Sequence, residues 1–226
     1  MRFFCRKRLT INDLNTVASV YNRVQRERFK IAIIDDEDFV YLERLRNLGF
    51  NITKYDDIHD LNMLESYDII ISDIKGVGKS FNSDVEGAFI LHELKKKYPY
   101  KEFAAYTGSA FDIKINNYLS GIQIIKKDFS IEEWTSAIDL LIHKISNPKQ
   151  IWKKMRATLL EKDIPLLDLV DLEDEFVDAI VNHGGNLENF PSVKTQKRLS
   201  PDVIRIISSI TTSLLTKFII TTTSTL

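Results

Sequence analysis

Polar side chains that could hold a metal ion and a phosphate follow four short apolar runs of the chain. In chain order they are Asp35 and Asp36, then Asp73, Thr107 and Lys126. Carboxylate oxygens are the ligands that Mg²⁺ prefers, and a carboxylate can also attack a phosphoryl group to form a mixed anhydride. A hydroxyl and an ammonium group can bind the phosphoryl oxygens by hydrogen bonding and by charge. These residue types indicate magnesium-dependent phosphoryl transfer to a carboxylate, provided that the fold brings the four run ends together.

The elements that would position these groups alternate between strands and helices. Short β-branched runs predict strands at residues 29–34, 51–55, 68–72, 102–106 and 121–125. Amphipathic stretches predict helices at residues 38–48, 60–66, 84–98, 111–119 and 130–145. Such alternation predicts an α/β fold with a five-stranded, parallel, doubly wound (flavodoxin-like) sheet. In open sheets of this kind ligands bind at the carboxyl ends of the strands, where all the polar groups above lie.

Two further segments flank this unit, so that we predict domains at residues 1–28, 29–147 and 148–226. The first is basic and contains an amphipathic pattern at residues 10–25, which predicts an N-terminal helix. The last predicts an all-helical extension, in which Ser200-Pro201 begins the final helix.

Composition limits the compartment and the partners. The formal net charge of −1 does not indicate a general nucleic-acid binder, and the single Cys5 excludes an internal disulfide, which fits a reducing compartment. We expect no signal peptide, because the first residues lack a long apolar stretch, and no membrane span, because Arg205 and Lys217 interrupt the apolar C-terminal region. The expected location is cytoplasmic.

Residues 29–147 resemble the receiver domain of two-component response regulators, the chemotaxis-regulator type of fold. The resemblance rests on the polar groups named above, in this order and at the ends of the corresponding strands. It implies that Asp73 accepts a phosphoryl group from a histidine kinase or a phosphotransfer protein. It also implies that Asp35, Asp36 and Asp73, with the backbone carbonyl of Lys75, hold Mg²⁺. Such a protein is not an enzyme in the usual sense, since it catalyses only its own phosphoryl transfer and dephosphorylation.

The resemblance also assigns the switch, and here the sequence departs from the family pattern. Thr107 and Lys126 would bind the phosphoryl oxygens, and the Thr107 loop would move inward. Gln123 replaces the aromatic residue that usually precedes the lysine by three positions, and Lys127 replaces the proline that usually follows it. The loop after Asp73 is longer than usual. Lys75, beside the acceptor, predicts slow self-dephosphorylation because its side chain can shield the phosphoryl group.

Alternatives remain open for the chemistry and for the output. Residues 76–80, Gly-Val-Gly-Lys-Ser, imitate the end of a nucleotide-binding P-loop, although the first glycine of the full motif is replaced by Asp73. A degenerate receiver that takes no phosphate is a further possibility. For the output we favour protein contact or dimerisation through residues 148–226. The alternative is a phosphorylation-controlled DNA-binding regulator that uses residues 194–198 or the basic arm, although the acidic stretch 168–178 would repel phosphates.

Overall fold

The computed structural model describes residues 7–16, 26–108 and 113–218. Its sheet consists of β1 (Lys30–Ile34), β2 (Asn51–Tyr55), β3 (Ile69–Asp73), β4 (Glu102–Thr107) and β5 (Gln123–Lys126). All neighbouring strands are parallel, in the order β2-β1-β3-β4-β5. The predicted five-stranded, parallel, flavodoxin-like sheet is confirmed.

Helices connect the strands and continue after them. They are α1 (Leu42–Asn47), α2 (Glu86–Lys97), α3 (Ile113–Tyr118), α4 (Ile131–Ser146), α5 (Pro148–Leu160), α6 (Leu166–Asn182), α7 (Val193–Gln196) and α8 (Pro201–Phe218). Short 3₁₀ helices lie at Ile11–Thr16, Arg26–Arg28, Leu61–Leu64 and Lys79–Phe81. The helix predicted at residues 60–66 is therefore a single 3₁₀ turn. Among the described residues, no helix is long and apolar enough to cross a membrane.

The alternation of side chains along each strand builds two cores, one on each face of the sheet. Ile31, Ile33, Ile69, Ile71 and Ile125 belong to the core that contains Trp134 and Ile138 of α4. Ala32, Ile34, Ile70 and Ala105 belong to the core that contains Ile90, Leu91 and Leu94 of α2. Because both faces are covered, the middle residues of β1, β3 and β4 are almost all apolar, and their charged residues lie at the strand ends.

The chain divides into two compact units that differ from the three predicted domains. One unit is Val24–Ile145, and the other combines the described parts of Met1–Arg23 and Ser146–Leu226. The predicted domain boundaries stay a prediction. The 3₁₀ helix Ile11–Thr16 packs with α5 and α6, whereas Arg26–Arg28 belong to the unit that contains the sheet. The predicted helix 10–25 is a 3₁₀ helix over Ile11–Thr16, and its remainder lies outside the described residues.

Acidic side chains of α6 hold this second unit together. Glu173 accepts hydrogen bonds from the backbone N–H of Ile11 at 2.9 Å and from the indole N–H of Trp152 at 2.8 Å. Asp174 accepts from the backbone N–H of Leu9 at 2.6 Å. Arg198 pairs with two further carboxylates of the same helix. The acidic stretch predicted to repel phosphates therefore has internal partners, and it ties the N-terminal residues to the unit.

Candidate functional site

Three carboxylates meet at the carboxyl ends of β1 and β3. Asp35, Asp36 and Asp73 each offer an oxygen, and these oxygens all lie within 4.8 Å of one another. Asp35 and Asp73 are each 3% exposed, whereas Asp36 is exposed. The sheet produces this arrangement because β1 and β3 are adjacent and end at the same edge. The three acidic residues that the sequence assigned to a metal site are therefore brought together.

The carboxylate of Asp73 has partners on both oxygens. Its Oδ1 accepts hydrogen bonds from the backbone N–H groups of Ile74 at 2.6 Å and Lys75 at 3.4 Å, and its Oδ2 contacts the ammonium of Lys127 at 2.6 Å. Burial raises the pKa of Asp73 above its ordinary value, and the hydrogen bond and charge of Lys127 counteract only part of that rise. The side chain of Lys75 is exposed, and the role predicted for its carbonyl stays a prediction.

The ammonium group that contacts the free Asp73 carboxylate comes from Lys127, whereas the phosphoryl-binding role predicted for Lys126 stays a prediction. Lys127 Nζ also lies 3.6 Å from Glu37 Oε2. Partial burial acts to lower the pKa of Lys127, but the hydrogen bond and charge of Asp73, with the neighbouring acidic groups, raise it overall. The physical reason that Lys127 makes this contact is strand alternation. Ile125 lies in the core on the α4 face, so Lys127 follows it on that face while the exposed Lys126 points to the other.

The same alternation brings a tyrosine to the site that the sequence analysis missed. Tyr106 is the register partner of Asp73 on β4. Its ring lies 5.4 Å from Lys127 Nζ and 5.4 Å from the centre of the Trp134 ring. Burial, then the carboxylates of Asp35 and Asp73, raise the pKa of Tyr106 far above its ordinary value. This hydroxyl is buried next to the Asp35 carboxylate, but within the described residues no hydrogen bond of standard geometry satisfies it, so it could bind a ligand in the pocket.

Thr107 ends β4 and is partly buried. Its carbonyl accepts a hydrogen bond from the backbone N–H of Lys127 at 2.9 Å, which fixes the ends of β4 and β5 together. The role predicted for its hydroxyl stays a prediction. Gln123 contacts α4, since its amide donates to the Ala137 carbonyl at 3.3 Å and accepts from Lys144 at 2.9 Å. The neighbouring Ile124 is 42% exposed.

The long loop after Asp73, residues 74–85, folds over the acidic group. Gly76 donates its N–H to the Glu86 carboxylate at 2.6 Å. Gly78 and Lys79 donate theirs to the two oxygens of Asp57, at 2.5 Å and 3.3 Å. The ammonium of Lys79 reaches Asp36, with 3.4 Å between Nζ and Oδ2. The loop is therefore attached at both ends, and it brings a second lysine to the acidic cluster.

Two glycines allow the backbone to approach Asp73 and Asp36 closely. A Cβ on Gly87 would lie 1.9 Å from the backbone oxygen of Asp73, and a Cβ on Gly76 would lie 2.2 Å from a carboxylate oxygen of Asp36. Gly76 also has a φ of +80°, which L side chains rarely adopt. These close backbone contacts with Asp73 and Asp36 therefore require glycine at both positions.

The P-loop alternative does not fit the conformation of residues 76–80. The helix that follows Gly78 is a 3₁₀ turn of three residues, Lys79–Phe81, whereas a P-loop leads into a long helix. The N–H groups of Gly78 and Lys79 that would face a phosphate are already bonded to Asp57. The glycine-rich segment thus binds an internal carboxylate.

The donor set fits Mg²⁺. Three carboxylates at one edge of a sheet supply the oxygen ligands that this ion prefers, and it usually retains several waters as well. The unpartnered hydroxyl of Tyr106 next to Asp35 and Asp73 is a group that such a water or a phosphoryl oxygen could satisfy.

The chain has low similarity to several solved structures over about half of its length. No family model matches the chain, and neither does any curated protein. Three solved structures that it resembles are receiver domains or a chemotaxis protein. Chemotaxis protein CheY4 of Vibrio cholerae is 14% identical, with a TM-score of 0.41, over 50% of this chain and 98% of that one. The apo receiver domain of nitrogen regulatory protein C is 24% identical, with a TM-score of 0.43, over 51% and 95%. The receiver domain of NtrX from Brucella abortus is 20% identical, with a TM-score of 0.41, over 49% and 96%. These likenesses concern the fold and about half of the chain.

Proposed function

We propose that the chain is a response regulator in which Asp73 accepts a phosphoryl group from a phosphohistidine donor. The observation that carries this proposal is the contact of a buried carboxylate with an ammonium group, Asp73 with Lys127 at 2.6 Å, beside two further carboxylates. In the step, an oxygen of Asp73 forms the new P–O bond while the P–N bond to the donor imidazole breaks. The departing imidazole takes up a proton. In this proposal the protein has no other substrate and catalyses only its own phosphoryl transfer and dephosphorylation.

Different residues of the site would bind the metal ion and the phosphoryl oxygens. Asp35, Asp36 and Asp73, with the carbonyl of Lys75, would hold Mg²⁺, which when bound neutralises charge between the acceptor and the phosphoryl oxygens. Lys127 holds the free carboxylate in position, and after transfer its ammonium pairs with a phosphoryl oxygen. The Thr107 hydroxyl binds another oxygen, which draws the loop after β4 toward the site.

For the output we propose protein contact or dimerisation through the second unit. Exposed apolar side chains on α6 support this, since Leu166 is 67% and Leu167 is 74% exposed, with Val170 at 44% on the next turn. DNA binding through residues 194–198 finds less support, because Arg198 of that segment is paired with Asp168 and Asp171.

The test uses beryllofluoride, a phosphoryl analogue, together with Mg²⁺. Amide chemical shifts near Thr107 should change on addition, and light scattering should report a change of assembly. An Asp73→Asn variant, which keeps the shape of the side chain without its charge, should respond in neither measurement. An unresponsive wild-type protein would contradict the proposed switch.

A further inference from the structure

We infer that Lys79 is a built-in counter-ion that competes with the divalent cation for Asp36 and so weakens Mg²⁺ binding. This inference rests on the proposed metal site. It concerns a residue in the lengthened loop after the acceptor, which has no part in the phosphoryl transfer described above.

The position of the ammonium group is the first observation. Lys79 Nζ lies 3.4 Å from Asp36 Oδ2, and Asp36 is the exposed member of the three carboxylates. On the opposite side, Lys127 contacts Asp73. Two lysines therefore contact the acidic cluster, Lys127 at the buried Asp73 and Lys79 at the exposed Asp36.

The anchoring of the loop is the second, independent observation. The carboxylate of Asp57, which follows β2, accepts from the N–H groups of Gly78 and Lys79 with its two oxygens. The hydroxyl of Ser80 donates to the carbonyl of Ile58 at 3.2 Å. The backbone of Lys79 is thus fixed on both sides, so that only its side chain must order to reach Asp36. A fixed backbone lowers the entropy cost of this ion pair relative to one between two free side chains.

The backbone of Gly76 narrows the space at Asp36. It lies so close to the Asp36 carboxylate that no Cβ could be accommodated, and its N–H is bonded to Glu86. The Lys79 ammonium and a metal ion would therefore compete for the Asp36 carboxylate. The divalent ion has the higher charge, and its binding releases the side chain of Lys79 while the backbone stays attached to Asp57.

Calorimetric titration of the full chain with MgCl₂ tests the inference. Lys79→Met removes the charge and keeps the length of the side chain. Because Lys79 is 67% exposed, the gain should match the loss of an exposed ion pair, a roughly 2- to 5-fold lower Kd for Mg²⁺. Lys79→Arg, which keeps the charge, should stay near the wild-type value. Lys96→Met, which removes an exposed lysine paired with Glu93 on α2, controls for net charge and should leave Kd unchanged.

The outcomes separate the inference from the metal site on which it rests. An equal or weaker affinity in Lys79→Met than in wild type would overturn the inference while the metal site stands. An equal gain in Lys96→Met would also overturn it, because the effect would then come from overall charge. Absence of Mg²⁺ binding in both wild type and Lys79→Met would overturn the metal site and the inference together. Hydrogen exchange of the loop amides adds a readout independent of affinity, since the amides of Gly78 and Lys79 should stay protected when Mg²⁺ binds.

Discussion

Replacement of Lys127 should destabilise the first unit far more than replacement of Lys126. Lys127→Met removes the ammonium that lies 2.6 Å from Asp73, whose side chain is only 5% exposed. Hydrogen bonds to charged groups contribute about 1.5–3 kcal/mol. Because the Lys127 side chain itself is 33% exposed, we expect the lower end of that range, about 1.5 kcal/mol. Lys126→Met changes an exposed residue and should remain within about 0.5 kcal/mol.

Hydrogen exchange of the β1 and β3 amides measures this difference within the relevant unit. Core amides exchange through opening of the unit, so their exchange rates follow its free energy of unfolding. A loss of about 1.5 kcal/mol should speed exchange roughly tenfold in Lys127→Met, against no more than about twofold in Lys126→Met. Mg²⁺ should reduce the acceleration of exchange in Lys127→Met, because bound metal supplies positive charge to the same carboxylates. Equal acceleration in the two variants, or a larger one in Lys126→Met, would refute the assignment of the ammonium.

Three further predictions concern groups around the sheet. Tyr106→Phe removes a buried hydroxyl without a described partner, so the free energy of unfolding in urea should stay the same or rise by about 1 kcal/mol. The affinity for Mg²⁺ should fall, and a lower free energy of unfolding would contradict the prediction. Lys101→Met should lower the free energy of unfolding by about 1.5–3 kcal/mol, because the buried ammonium binds two main-chain carbonyls at the end of the Leu61–Leu64 turn. An unchanged midpoint of urea unfolding would contradict this prediction. The hydrogen bond to Tyr67, followed by burial, raises the pKa of Tyr55 from 10.0 to about 12, so this pair stabilises the fold fully below pH 10 and loses its contribution as the pH rises toward 12. Ultraviolet titration should show one tyrosine that ionises near pH 12, in addition to Tyr106, which ionises later still, and Tyr67→Phe should remove the step near pH 12.

The sheet and its acidic cluster could be predicted because their signals are local. Alternation of isoleucine-rich runs with amphipathic stretches defines a doubly wound sheet, and parallel strands place their carboxyl ends at one edge. Those same isoleucine runs concealed which face each residue takes, since both faces are buried. The contact of Lys127 with Asp73 was therefore not predicted, although alternation from Ile125 places Lys127 on the α4 face.

The loop and the second unit depend on contacts that are distant in sequence. Asp57 meets the N–H of Gly78 across 21 positions, and Glu173 meets Ile11 across 162. Neither contact has a periodic signature. An acidic run on a helix usually predicts a solvated face, whereas here Glu173 and Asp174 bind backbone N–H groups of the N-terminal residues. Only the tertiary structure reveals such pairings.

The proposed function requires that Asp73 carries the phosphoryl group. Incubation of the full chain with Mg²⁺ and a small-molecule acyl phosphate, followed by intact-mass and peptide mass spectrometry, tests it most directly. We predict the addition of one phosphoryl group on the peptide that contains Asp73, lost on mild alkaline treatment as expected for an acyl phosphate, and absent from Asp73→Asn and from samples with chelator. An unmodified wild-type chain, or a phosphoryl group that persists in Asp73→Asn, would contradict the account.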